Sequence, residues 1–451
     1  MQYIAISDFL LFPLYLFFLY LIIKIRAKKF NGTPLKKYFI VAFFLHMAGS
    51  FLYAMMIQYY YGYGDSFGFY TGSNFIRDYI SGGGNVFKIF YISSADLIKT
   101  NSIVRNSGIE IPVGIDTDSN FIIMKISAAL SYVSFNSYLV ISMFFGLFSF
   151  AGLWKLFRTF NKILNSNSEK VLAYCILYTP SICFWGSGLM KDSICLGIVG
   201  FIIHYAYKIF VEKKINIRGL LFLFILFYVL FILKSYIASI LIVSFTLANI
   251  ILILKKSKQN AIQLLLVTLI ILLCGIFLFF NLSSNIDTIV EESKEQIEIF
   301  KGAYAHAEVA DENSLAGFKP GNFDLSVSSF ILRSPLAMFS TLFRPFIWES
   351  QKLIMLFSAL ESLIMFLALL FVIFKCGVLK FLYTLFSEPY IFFAFTFTLL
   401  LAAIVGFTTF NFGTLVRYRL PILPFYFFAL IAIYGKNKFN RSGPVAEPET
   451  G

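Results

Sequence analysis

Histidine, cysteine and tryptophan are scarce in this 451-residue chain, with three, five and three residues respectively. His46, His204 and His306 are scattered too widely for a metal cluster. Cys175, Cys183, Cys195, Cys274 and Cys376 lie in or beside apolar runs without CxxC spacing, which excludes a disulfide framework and a thiolate metal site. They read as small core residues. Charge is also sparse, at 14% of residues, and acids are outnumbered by bases, 24 to 37. A net charge of +13 would suit a nucleic-acid binder, but the cations come in short clusters between apolar runs, so no nucleic-acid partner is expected.

What is abundant is apolar: 59% of residues are hydrophobic and 19% aromatic, more than a soluble domain can bury, so lipid must be the solvent for much of the chain. At about twenty apolar residues per span, helices are predicted over 4–23, 38–58, 138–157, 170–187, 193–211, 219–235, 237–254, 262–281, 353–374, 389–409 and 420–435. The fold class is an all-α polytopic membrane protein with about eleven transmembrane helices. The first run, Ile4 to Ile23, lacks a basic leader and a small-residue cleavage site, and reads as a retained helix.

Every second loop is basic. Lys24 to Lys37 follow the first helix, Lys155 to Lys170 the third, Lys208 to Arg218 the fifth, Lys255 to Lys258 the seventh, Lys375 and Lys380 the ninth, and Lys436 to Arg441 close the chain. Positive loops face the cytoplasm, so the N-terminus is expected outside and the C-terminus inside, in a cell (inner) membrane. Counting 121–135 as a span would invert every later loop, so that stretch is read as an interfacial or re-entrant helix on the outer side. Residues 59–137 and 282–352 become two large outer loops, the second with amphipathic spacing over 286–309. Residues 1–441 form one transmembrane domain without an internal repeat, and 442–451 read as a disordered tail or an appended remnant.

This threading gathers polar residues at the outer edge. Asp65 stands among glycines and tyrosines in "YYYGYGDSFGFY", and Lys191 and Asp192 occupy the turn "FWGSGLMKDS". Lys234 ends the sixth helix, Arg344 and Glu349 precede the ninth, and Arg417 and Arg419 precede the eleventh. Cations at helix ends also snorkel to headgroups, but positive-inside bias depletes them from outer turns, so their accumulation there points to an anionic ligand such as a lipid phosphate. The prolines of "RPF" and "RYRLP" would stiffen such a clamp, or simply start a helix. Asp65 has a plain alternative as a helix cap, against which Gly64, Gly68 and Gly72 weaken any helix there. Glu361, inside the ninth helix, should pair with a cation or stay protonated.

The layout resembles the C-type glycosyltransferase superfamily, polytopic enzymes that use polyprenyl-phosphate-linked sugars at the outer leaflet. "GDSFGFY" is similar to the acidic start of that family's first outer loop, and "SGLMKDS" and "LVRYRLP" to outer-turn cation motifs of its bacterial members. The resemblance implies Asp65 as catalytic base and Lys191 with Arg417 or Arg419 beside the lipid phosphate. Many members carry two nearby acids, whereas the next acid here is Asp78; no cofactor is required, and a divalent metal has no acid pair to support it.

The chemistry then needs one carboxylate to take the proton of the acceptor hydroxyl, and cations (Lys191, Lys234, Arg344, Arg417, Arg419) to stabilise the departing phosphate, with inversion at the anomeric carbon. Asp192, Glu349 and Glu361 would support them from behind. The expected partners are the polyprenyl-phosphate sugar, a glycan or lipid-linked acceptor, and membrane lipids. Two rivals stand beside this reading. One is an O-antigen-type polymerase or ligase with His306 as base; the other is a lipid-glycan transporter, which would show charges midway through broken spans.

Overall fold

The computed structural model describes residues 3–104, 114–115, 117–165, 168–214, 216–255, 265, 269, 327–350, 353–409 and 411–439. The elements among them are helical: α1 (Ile6–Ala27), α2 (Leu35–Met56), α3 (Asp65–Gly83), α4 (Lys88–Tyr91), α5 (Ser94–Val104), α6 (Asp118–Val133), α7 (Tyr138–Ile163), α8 (Glu169–Leu177) and α9 (Pro180–Trp185). They continue as α10 (Lys191–Ala206), α11 (Ile217–Leu233), α12 (Ser235–Lys255), α13 (Val327–Phe343), α14 (Leu353–Cys376), α15 (Val378–Ser387), α16 (Pro389–Thr408), α17 (Phe412–Tyr418) and α18 (Ile422–Phe439). They gather into two compact units, 1–162 with 176–234, and 163–175 with 235–451.

Among the described residues, seven helical stretches are long and apolar enough to cross a membrane: Ile6–Phe30, Leu35–Tyr61, Tyr138–Ile163, Lys191–Val211, Ser235–Leu252, Met355–Cys376 and Pro389–Thr408. The pair α17 and α18, bent by 62°, makes an eighth if counted as one span. Their free faces are apolar rather than charged: Leu10, Phe17 and Phe18 of α1 and Ile364 and Phe374 of α14 are all exposed. Only lipid tolerates such a surface at this scale. The chain is a multi-pass, all-helical integral membrane protein.

Three predicted spans differ in detail. The stretch 170–187 breaks into α8 and α9, because Pro180 lacks an amide hydrogen and holds Thr179 in extended backbone (φ −57°, ψ 124°). The stretch 219–235 is the 17-residue α11, about 26 Å long at 1.5 Å per residue, the lower limit for crossing. Before 420–435 the chain forms α17 and turns sharply at Arg419–Pro421. The predicted helix 262–281, the amphipathic stretch 286–309 and the tail 442–451 lie outside the described residues. The stretch 121–135 is α6, 16 residues long and shorter than any of the candidate spans.

Within lipid, helices cannot be driven together by apolar burial alone, so close packing at small residues takes over. In the first unit, a Cβ on Gly152 of α7 would lie 2.1 Å from the Gly197 carbonyl oxygen of α10, and one on Gly200 would lie 2.2 Å from the Gly152 carbonyl. Gly49 of α2 presses on the Cys183 carbonyl of α9 in the same way, at 1.8 Å. In the second unit, Gly406 of α16 meets the Ala337 carbonyl of α13, and Thr341 donates to the Ala402 carbonyl at 2.7 Å. A Gly200→Leu variant is therefore expected to lose about 3 kcal/mol of packing or more. Size exclusion in detergent should show little monodisperse protein. Gly435→Ala, where nothing lies within 4 Å of the added carbon, should elute as the parent does.

The start of α3 is pinned within the first unit. Ser66 and the Tyr138 hydroxyl share a hydrogen bond of 2.7 Å, and Tyr70 donates to the Asn136 carbonyl at 2.7 Å. The Tyr3 ring stacks on Phe67 with centroids 4.1 Å apart, and the Tyr3 amide donates to the Gln58 side chain at 2.8 Å. Burial pushes the Tyr70 phenol above its ordinary pKa, so it stays a hydrogen-bond donor at neutral pH.

Candidate functional site

Asp65 is the first residue of α3, and its place is made by two glycines. Gly62 (φ 72°) and Gly64 (φ 144°) occupy backbone that side chains disfavour, turning the chain out of α2 and into α3. The carboxylate is exposed and stands in the helix's first turn, where a negative charge complements the unsatisfied amides. The glycines read from sequence as helix-weakening do not prevent α3, which runs for 19 residues. Gly72 packs against α6 instead, leaving its Cβ position within 2.5 Å of the Met124 sulfur. Interhelical packing outweighs the cost of about 1 kcal/mol per glycine.

Lys191 opens α10, and its ammonium donates to Ser119 Oγ of α6 at 2.8 Å. Asp192, next to it, is buried and accepts from Lys234 Nζ at the end of α11. Both side chains of this pair are almost entirely out of solvent. The charges of Lys234, Asp65 and Asp192 all act on the Lys191 ammonium. Four of the expected residues, from three separate stretches of sequence, thus form one electrostatic group in the first unit. Asp192 answers Lys234 directly. Lys191 is held by the neutral Ser119 hydroxyl.

The other expected residues belong to the second unit. Arg344 grips Glu349 through Nε at 3.1 Å and through its terminal nitrogen, and the Phe346 amide donates to the same carboxylate at 2.8 Å. Its guanidinium lies over the rings of Phe412 and Phe346, at 5.3 and 5.9 Å from their centroids. Arg417, at the end of α17, is half-buried. Arg419 was expected at the membrane edge beside a phosphate, but it is 0% exposed. It donates to the Arg344 carbonyl at 2.9 Å and to Ser362 Oγ at 2.8 Å, and its second nitrogen lies 3.5 Å from Glu361 Oε1. The cation expected beside Glu361 is thus Arg419, and together they tie α14 to the turn before α18.

His306 lies outside the described residues. Asp78 is exposed and 3.6 Å from Arg77. Among the described residues no three metal-ligating side chains come together. Two polar features escaped the sequence reading. Ser119 carries no signal beyond its place at a helix start, and only the fold brings it to Lys191. Asp8 had one, an acid within the first apolar run: it is buried, accepts from the Ser137 hydroxyl, and takes the Ala5 amide at 2.7 Å.

Comparison with known protein families, with curated proteins and with solved structures finds no match to this chain. The site must therefore be read on its own chemistry.

Proposed function

We propose that this chain is an inverting glycosyltransferase of the C-type plan. It takes a sugar from a polyprenyl phosphate and passes it to a glycan or lipid-linked acceptor on the outer side of the membrane. The observation that carries this reading is an exposed carboxylate, Asp65, near enough for its charge to act on Lys191, a lysine that donates to the neutral Ser119 hydroxyl. The alternating basic loops support a threading with the N-terminus outside, which puts Asp65 and Lys191 on the outer face.

In this reaction the acceptor oxygen forms a bond to the anomeric carbon as its proton passes to the Asp65 carboxylate. The bond from that carbon to the phosphate oxygen breaks, and its electron pair leaves on the phosphate. Lys191 stabilises the charge that appears there, helped by the amides at the start of α10. Attack from the face opposite the phosphate inverts the anomeric carbon. Asp192 and Lys234 do not meet the substrate; their pair fixes the start of α10 and with it the lysine.

The test is mass spectrometry of lipid-linked and surface glycans from otherwise identical strains carrying the wild-type gene, no gene, or Asp65→Asn. Glycans one sugar short, with the donor lipid accumulating, are expected in both altered strains. Complete repeat units piling up would move the assignment to a polymerase. Normal glycans in the Asp65→Asn strain would remove the carboxylate from the chemistry.

A further inference from the structure

The ten-residue helix α15 joins two candidate spans, leaving α14 at Gly377 (φ 82°) and entering α16 at Glu388–Pro389. It is about 15 Å long at 1.5 Å per residue, half of a bilayer core, so it stays at the membrane edge where α14 ends and α16 begins. At 3.6 residues per turn its side chains fall into three sectors. Phe381, Thr384 and Leu385 are buried within the second unit, where Asn437 of α18 donates to Thr384 Oγ1 at 3.1 Å. On the opposite side Leu379 is 84% exposed and Tyr383 75%, with Phe386 beside them. Between the two lies a narrow polar stripe of Lys380 and Ser387.

A helix buried on one flank, apolar and bare on the other, and polar only along one edge has the shape of an element lying flat in a membrane interface. The bare flank continues onto α14 through exposed Phe371 and Phe374. That continuity makes its occupant the lipid already surrounding the spans. The charge at this edge is positive: Lys375 and Lys380 are exposed, and the acid at the helix end, Glu388, is paired with Lys436.

We propose that α15 is an in-plane anchor for anionic phospholipid. Leu379, Tyr383 and Phe386 lie among the upper acyl chains, and Lys375 and Lys380 meet the headgroup phosphates. The proposal stands independently of the transferase reading, since it uses no residue of that site.

The experiment places the full chain in nanodiscs of equal phosphatidylcholine and phosphatidylglycerol, extracts it in mild detergent, and counts co-purified lipids by mass spectrometry. The parent should retain phosphatidylglycerol in excess over the bulk ratio. Lys375→Gln and Lys380→Gln should each reduce that excess about fivefold. In parallel, the emission of Tyr383→Trp after subtracting the parent should be blue-shifted and quenched by phosphatidylcholine brominated high on its chains. Equal lipid retention in parent and lysine variants overturns the proposal. So does unquenched, water-like emission from position 383, or cross-linking of that position to a second copy of the chain.

Discussion

Replacing Asp65 by asparagine is expected to slow sugar transfer by about 10²–10⁴-fold while leaving the protein folded and its donor KM close to the parent's. Asparagine keeps the shape and the polar first turn of α3 but cannot take a proton. Losing a helix-end charge costs about 0.3–1 kcal/mol, so the fold should survive. The glycines on either side of the turn and the clamp of Tyr3, Ser66 and Tyr70 remain in place. Lys191→Met is the complementary change. It should cost about 10²–10³ in kcat if the ammonium meets charge that develops on the phosphate. Measured with purified protein, a lipid-linked donor and an acceptor, the two variants separate the roles. A kcat for Asp65→Asn within threefold of the parent would reduce Asp65 to a helix-end charge.

The second large effect concerns stability. Arg419 is wholly enclosed, and its removal leaves the buried Glu361 carboxylate and the Arg344 carbonyl without their cation. Breaking one side of a buried charge pair costs about 3–5 kcal/mol, because the remaining charge has no water to return to. Arg419→Met should therefore yield almost no folded protein, read as the fraction surviving extraction and size exclusion. Adding Glu361→Leu should restore much of it, since two apolar side chains of similar bulk often replace a buried ion pair without loss. A double variant no better than Arg419→Met would show that the arginine acts through its carbonyl and Ser362 bonds rather than through the pair. Lys191→Met, in the other unit, serves as a control for both.

Much of the architecture was legible because hydropathy reports directly on lipid. The runs at 4–23, 38–58, 138–157, 353–374 and 389–409 emerge as helices with modest shifts at their ends. The break at Pro180 was written in the sequence as well, but an apolar count does not register that proline lacks an amide hydrogen. α15 was hidden for the opposite reason. Ten residues are too few for a span, and its lysine made it look like an ordinary basic loop. At the site, adjacency carried the reading only so far. Lys191 and Asp192 were visible as a charged turn, and Glu361 as an acid needing a cation. That Asp192 would take Lys234, that Ser119 would hold Lys191, and that Arg419 would turn inward for Glu361 depend on which helices pack together. No local pattern encodes that choice.

The ion pair between α10 and α11 also bears on how the protein is made. Asp192 lies in the first turn of one of these helices and Lys234 follows the end of the other, 42 residues later. Neither charge is welcome in hydrocarbon alone, and each is neutralised by the other. α11 is strongly apolar but only 17 residues long and ends on its lysine, so that charge sits close to hydrocarbon and needs its partner. The two segments are best served by leaving the insertion machinery together, as a closed hairpin. Losing Asp192 is then expected to lower the amount of chain recovered from the membrane, read by immunoblot of the membrane fraction.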